Sequence, residues 1–207
     1  MLGLVLLAAP AAPGLAQDAG AYGDGWYRGE FWSGEYPNGF TVLEATTLKL
    51  RPELSPAAEP SIDCPLPAKA TYHPWNSARV FSDGLTFASF TEIDEMEVTK
   101  PFEASLYGQL DATEVTIKFE PGMIWKYLAY YGEGAFLLEY DGVRYDGDQG
   151  LIDASTSTHP GDKGYDEWLR IDCASQMWGW LFMADIQDNA AFGPPNIEGY
   201  GVAADAE

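Results

Sequence analysis

The chain has 207 residues, of which 46% are hydrophobic, and it sets 11 Lys and Arg against 32 Asp and Glu for a net charge of −21. That length allows one medium domain or two small ones, with enough apolar residues for a core. So negative a field repels phosphate backbones and anionic membrane surfaces, which argues against nucleic acid as a partner and leaves a cationic partner or a divalent ion to fit the charge.

Aromatic residues make up 14% of the chain, and 22 Gly and 14 Pro accompany them. Rings favour half-buried strand positions, and Gly with Pro marks frequent turns. No stretch holds a 3.6-residue apolar period, so the expected fold is all-β with little helix.

Residues 2–16 form an apolar run ending in Gly14-Leu15-Ala16. Small residues at the first and third of those positions mark a signal-peptidase site, so 1–16 is expected to be a signal peptide cleaved before Gln17. The run is shorter than the ~20 apolar residues of a spanning helix, and Pro10 and Pro13 interrupt it. No Lys or Arg precedes Arg28, so the usual basic start of such a signal is missing. The expected destination is the bacterial periplasm or the exterior, with no membrane span after cleavage.

Residues 17–39 read as an N-terminal arm rich in Gly and rings, with Trp26, Phe31, Trp32 and Tyr36. Two roles stay open for it. The rings can lie on a sheet and cover its edge, or they can offer an aromatic platform to a sugar or peptide. Pro37-Asn38-Gly39 has turn chemistry, since Pro presets φ and Asn-Gly tolerates positive φ.

Strand-like segments follow. Leu85–Ile93 and Glu114–Phe119 alternate, the second with Val115, Ile117 and Phe119 on one face. Pro121-Gly122 ends that strand. Met123–Tyr131 fits either a short helix or a buried strand. Gly132-Glu133-Gly134 reads as a turn, and Asp141-Gly142 as a two-residue hairpin turn returning into Val143. Near the end, Trp168, Arg170 and Asp172 alternate with Leu169, Ile171 and Cys173. Ala174-Ser175-Gln176 makes a polar break before Trp178–Met183, and so apolar a hairpin must pack against something. From Gln187 to Glu207, Gly, Pro, Asn and Ala point to a flexible tail.

Leu48-Lys49-Leu50-Arg51 ends an expected strand, a Ser/Pro loop follows, then a strand from Ser61, then the small-residue turn Ala68-Lys69-Ala70. With Trp168-Leu169-Arg170-Ile171, Gly179-Trp180-Leu181 and Asp185-Ile186 behind them, these pieces resemble, in order, the two halves of bacterial SH3-like domains. The resemblance covers residues 40–75 and 165–186. It implies a small barrel, and it implies an accessory module that holds peptides or cell-wall material. The intervening stretch 76–165 departs from a minimal domain of that kind. Either one barrel carries a long β insertion, or two packed β units stand near 40–107 and 112–186. The echo between Ile62-Asp63-Cys64 and Ile171-Asp172-Cys173 favours the second.

Cys64 and Cys173 are the two cysteines. In an exported chain an even pair implies one disulfide, closing a long loop and stabilising the fold by about 4–5 kcal/mol in the chain-entropy model. His73 and His159 each precede a proline and read as loop residues; neither comes with a Gly-x-Ser-x-Gly elbow or a set of further zinc ligands. Asp141, Asp146, Asp148 and Asp153 supply hard oxygens that suit calcium, without the EF-hand register.

The expected function is therefore non-enzymatic binding of cell-wall material or a protein partner, with Trp26, Trp32, Tyr72 and Trp75 as contact residues and no cofactor unless calcium is held at Asp141, Asp146 and Asp148. The rival is a carbohydrate or peptidoglycan hydrolase that uses two carboxylates, for which the sequence of an acidic chain offers many candidates.

Overall fold

A computed structural model of the chain describes residues 22–77, 81, 83–109, 112–173 and 177–197. The expected signal peptide, the break at 174–176 and residues 198–207 lie outside the described residues.

In chain order the strands are β1 (Trp26–Gly29), β2 (Phe40–Val42), β3 (Thr46–Leu50), β4 (Ile62–Leu66), β5 (Thr71–Tyr72), β6 (Phe87–Glu92), β7 (Asp94–Val98), β8 (Phe102–Gly108), β9 (Glu114–Phe119), β10 (Ile124–Gly132), β11 (Ala135–Tyr140) and β12 (Val143–Gly147). The short helix α1 (Gln149–Asp153) follows, then β13 (Ser155–Ser157), β14 (Tyr165–Asp172), β15 (Trp178–Phe182) and β16 (Phe192–Gly193). Two 3₁₀ turns, Pro74–Asn76 and Met183–Asp185, follow β5 and β15. The fold is all-β, as composition and periodicity require. Met123–Tyr131, open between helix and strand in sequence, falls mainly in β10, whose tyrosines and Trp125 suit a pleated surface.

The strands form four sheets, ordered β1-β6-β14-β15, β13-β7-β10-β11-β12-β8-β9, β16-β2-β5 and β3-β4. The Asp141-Gly142 turn is as expected: Tyr140 pairs with Val143, and both turn residues have positive φ, 51° and 75°. Glu133 and Gly134 do the same between β10 and β11, with φ of 52° and 82°.

The sheets do not follow the division into 40–107 and 112–186. β8 pairs with β9 across that boundary, from Phe102 with Phe119 to Tyr107 with Glu114. The cores divide differently too. Phe40, Val42, Leu50, Cys64 and Leu66 share one cluster with Leu169, Ile171, Cys173, Leu181 and Ile186, so the two outer segments of the chain enclose a single barrel-like core. Residues of β7 to α1, including Val98, Leu106, Phe119, Trp125, Phe136, Leu138 and Leu151, build a second core inside the seven-stranded sheet. The Ile-Asp-Cys tripeptides meet in the first core, where Cys64 and Cys173 form the expected disulfide, with Cα atoms 5.2 Å apart.

β14 is covered on both faces. Leu169 and Ile171 enter the first core, whereas Trp168 packs with Tyr22, Ala88, Phe90 and Trp180. The expected alternation of polar and apolar residues along β14 therefore fails to mark a wet face: Trp168, Leu169, Arg170 and Ile171 are all buried. β6 is likewise buried from Phe87 to Thr91, because it lies between β1 and β14. The N-terminal arm supplies the cover. Tyr22 stacks on Phe90 at 3.7 Å between ring centroids, and Tyr27 and Phe31 pack on Leu128, Ala129 and Leu137 of the neighbouring sheet.

Two further expectations are corrected. Pro37-Asn38-Gly39 makes no turn, and neither Asn38 nor Gly39 has positive φ before β2 begins at Phe40. Gly39 serves close approach instead, since a Cβ there would collide with the Tyr72 carbonyl. The expected flexible tail is ordered over 187–197: β16 pairs with β2, Phe192 meets Phe40 edge to face at 5.3 Å, and Ile197 is buried. Burial of these side chains outweighs the disorder-prone composition around them.

Among the described residues, no helix is long and apolar enough to cross a membrane.

Candidate functional site

One concavity follows from how the barrel closes. β2, the first residues of β14, the 3₁₀ turn after β15 and the segment after β16 border a groove of about 630 Å³. Its apolar wall comes from Phe40, Phe182, Met183, Ile186, Phe192, Pro194 and Pro195. Its polar wall is the start of β14, Tyr165-Asp166-Glu167, where the chain leaves the buried run at Trp168 and reaches solvent. Among the described residues that line it, none is Lys or Arg.

Both carboxylates are held in place. Asp166 accepts a hydrogen bond from the Tyr22 hydroxyl at 2.8 Å, and that hydroxyl accepts one from Trp168 Nε1 at 2.8 Å. Burial, with Asp166 beside it, pushes the Tyr22 hydroxyl well above its ordinary pKa, so it remains a donor. Glu167 accepts from Asn38 Nδ2 at 2.5 and 2.6 Å and from the Tyr165 hydroxyl at 2.6 Å. Burial and the neighbouring Glu167 raise the Tyr165 pKa as well. Neither carboxylate has an ion-pair partner within the described salt bridges. Fixed negative charge beside rings is an arrangement that attracts a cationic side chain and seats its apolar stem.

The four expected contact residues part company. Trp32 and Trp75 come together edge to face at 5.6 Å, and Trp32 also meets Phe87 at 5.8 Å. Trp75 is 49% exposed. Tyr72 turns towards the first core and stacks on Phe40 at 5.2 Å. Trp26 packs on Tyr22 at 5.1 Å and against Gly164, on the far side of β6, as an anchor of the arm. One pair thus forms a surface and two of the rings are structural.

The aspartates expected to hold calcium are used separately. Asp141 sits in the hairpin turn, Asp146 on β12 accepts from Gln109 Nε2 at 2.6 Å, and Asp148 caps α1 by accepting from the Gly150 amide at 2.8 Å. Asp153 is bonded by Gln149 Nε2 at 3.0 Å. Among the described residues, no three His, Cys, Asp or Glu side chains gather as a metal site would need. His159 is exposed, with Nδ1 2.8 Å from Thr158 Oγ1, whereas His73, in the connection between β5 and the 3₁₀ turn, is buried at 9% exposure.

Sequence reasoning missed Asp166, Glu167, Phe182, Met183 and Phe192, because they converge from β14, β15 with the 3₁₀ turn after it, and β16 only once the barrel closes. It also missed the environment of Arg170. A cation inside an apolar strand was the available signal, since a buried arginine must find a carboxylate or rings. Here it finds both: Asp83 at 2.8 and 3.0 Å, and the rings of Phe81 and Trp178 at 3.8 and 4.0 Å.

No protein-family model, curated protein or solved structure matches the chain.

Proposed function

We propose that this chain is an exported, non-enzymatic binding protein that holds an extended cationic segment of a protein partner in the groove beside β14. The single observation that carries the reading is the groove itself, whose lining combines Phe40, Phe182 and Phe192 with Asp166 and Glu167. The charge of −21 favours the approach of such a partner from a distance. The apolar run at 2–16 and the Cys64–Cys173 disulfide support export to the periplasm or beyond, since disulfides persist in oxidising compartments. We read the barrel of β2–β5 with β14–β16 as SH3-like, on the order of its motifs.

A hydrolase is the second reading, because both carboxylates line one groove. Asp166 is held by Tyr22, and Glu167 by Asn38 and Tyr165, separate tethers that disfavour the two as a pair acting on one bond. Incubation with cell-wall sacculi separates the readings. Soluble fragments released by the wild type and not by Asp166→Asn or Glu167→Gln support hydrolysis. Their absence, with binding of a cationic peptide, supports the groove as a binding site.

A further inference from the structure

The seven-stranded sheet begins at β13 and ends at β9, and its two edges are built differently. β13 is three polar residues, Ser155–Ser157, and Pro160 follows soon after; short edges near a proline resist pairing. β9 runs six residues, Glu114–Phe119, and pairs with β8 without a register shift. It holds no proline, and Val115, Ile117 and Phe119 face the second core with no charge among them. Among the described residues, no strand pairs with its outer side.

The backbone groups on that outer side can be assigned. The Gly108 amide donates to the Thr113 carbonyl at 3.0 Å, which extends the β8–β9 register by one hydrogen-bonded pair. Such pairs alternate along an antiparallel ladder, so Val115, Ile117 and Phe119 turn their backbone groups to β8, whereas Glu114, Thr116 and Lys118 turn theirs to the open edge. Unpaired backbone groups in a row are a template for another strand.

The open edge reads Glu114-Val115-Thr116-Ile117-Lys118, which is complementary to itself run backwards. Antiparallel pairing centred on Thr116 sets Glu114 opposite Lys118 of a second copy and Val115 opposite Ile117, and every edge-facing residue exchanges both backbone bonds. Centring on Glu114 or on Lys118 instead sets like charges opposite, so the charges select the Thr116 register. Val115 and Ile117 are only half-buried in one copy, and this pairing covers them. Glu114 enters no ion pair among the described residues, and Lys118, its side chain 76% exposed, lies 3.4 Å from Glu103 of its own sheet. The pairing therefore builds a row of alternating charge across the seam. An isologous contact closes as a two-fold dimer and does not grow into a fibre.

We propose that β9 is a self-association edge, at which two copies pair antiparallel across Thr116 and join their seven-stranded sheets into one. β9 lines no part of the groove beside β14, so the dimer is independent of what the groove binds.

Sedimentation equilibrium of the purified protein tests this from about 1 µM to about 1 mM, at an ionic strength of about 0.15 M that screens the net charge beyond about 8 Å. The wild type should show monomer and dimer only. Glu114→Lys and Lys118→Glu, both at exposed positions, should each weaken the dimer about tenfold, because like charges then face each other at both ends of the seam. An equimolar mixture of the two single variants should recover the wild-type affinity, since each supplies the charge the other lacks; structural damage would not be repaired in this way. The proposal is overturned if the wild type stays monomeric throughout, if either variant dimerises as tightly as the wild type, or if the mixture associates no more tightly than the variants alone.

Discussion

Arg51 and Trp180 exchange two backbone hydrogen bonds of 2.8 Å each, joining the hairpin β3–β4 to β15. The Arg51 side chain reinforces the same seam: it pairs with Asp185, donates from Nε to the Ala58 carbonyl at 3.1 Å, and lies 5.7 Å from the rings of Trp168 and Phe182. Only 10% of that side chain is exposed. Arg51→Met keeps the stem and removes the charge, and it should cost about 2–4 kcal/mol. Urea unfolding checks this; a loss below about 0.5 kcal/mol would mean the seam does not depend on the guanidinium.

The disulfide joins the same two segments, with 109 residues between Cys64 and Cys173. A loop that long should contribute about 3–5 kcal/mol through the unfolded chain. Paired Cys64→Ala and Cys173→Ala should lower stability by that amount. Thiol titration of the denatured, unreduced wild type should find no free thiol.

Stability should fall on both sides of a neutral plateau. Burial raises the pKa of Tyr22, Tyr131 and Tyr165, and that of Tyr127 to about 12, above the ordinary 10.0. Groups raised in the fold stabilise it fully below their unfolded pKa, and that contribution is lost as pH climbs through the folded values. His73 works in the other sense. Burial lowers it from 6.5, so its contribution is complete above that pH and fades as pH falls through the folded value. Asp83 adds to the acid side: burial opposes its charge, but the Leu85 amide and Arg170 outweigh it and hold the pKa below 3.8. Thermal unfolding should give a lower Tm at about pH 11 and at about pH 4 than at about pH 8. A Tm unchanged up to pH 11 would contradict the burial of these hydroxyls.

Gly39→Ala tests the approach of the arm to β5. The added methyl would meet the Tyr72 carbonyl and the His73 side chain, neither of which is the free end of a flexible group. The expected cost is about 1–3 kcal/mol, read as a shift in the urea midpoint at constant slope.

The strands were legible wherever one face stays wet. Val115, Ile117 and Phe119 alternate with exposed neighbours on β9, and Asp141-Gly142 carries its turn chemistry on its face. Apart from the order of the Leu48–Arg51 and Gly179–Leu181 motifs, pairing across long separations was not legible, since nothing local to Leu50 or Leu181 records that they share a core. Cys64 and Cys173 were the exception, because the parity of two cysteines reaches across the chain. The candidate contact rings were visible in sequence, but only contacts separate Trp26, pinned against Gly164, from Trp75 at the surface. Asp166 and Glu167 drew no notice in a chain with 32 acidic residues, because what distinguishes them is the wall they face.

The central claim is that the groove selects a cationic segment through Asp166 and Glu167. Its most direct measurement is selection of a random peptide library on the purified wild type and on the Asp166→Asn, Glu167→Gln double variant. Wild-type protein should enrich peptides in which Lys or Arg alternates with apolar residues, and the double variant should bind those peptides at least tenfold more weakly, since two oriented charge partners are removed. Enrichment without Lys or Arg, or enriched peptides that bind the double variant as well as the wild type, would contradict the account.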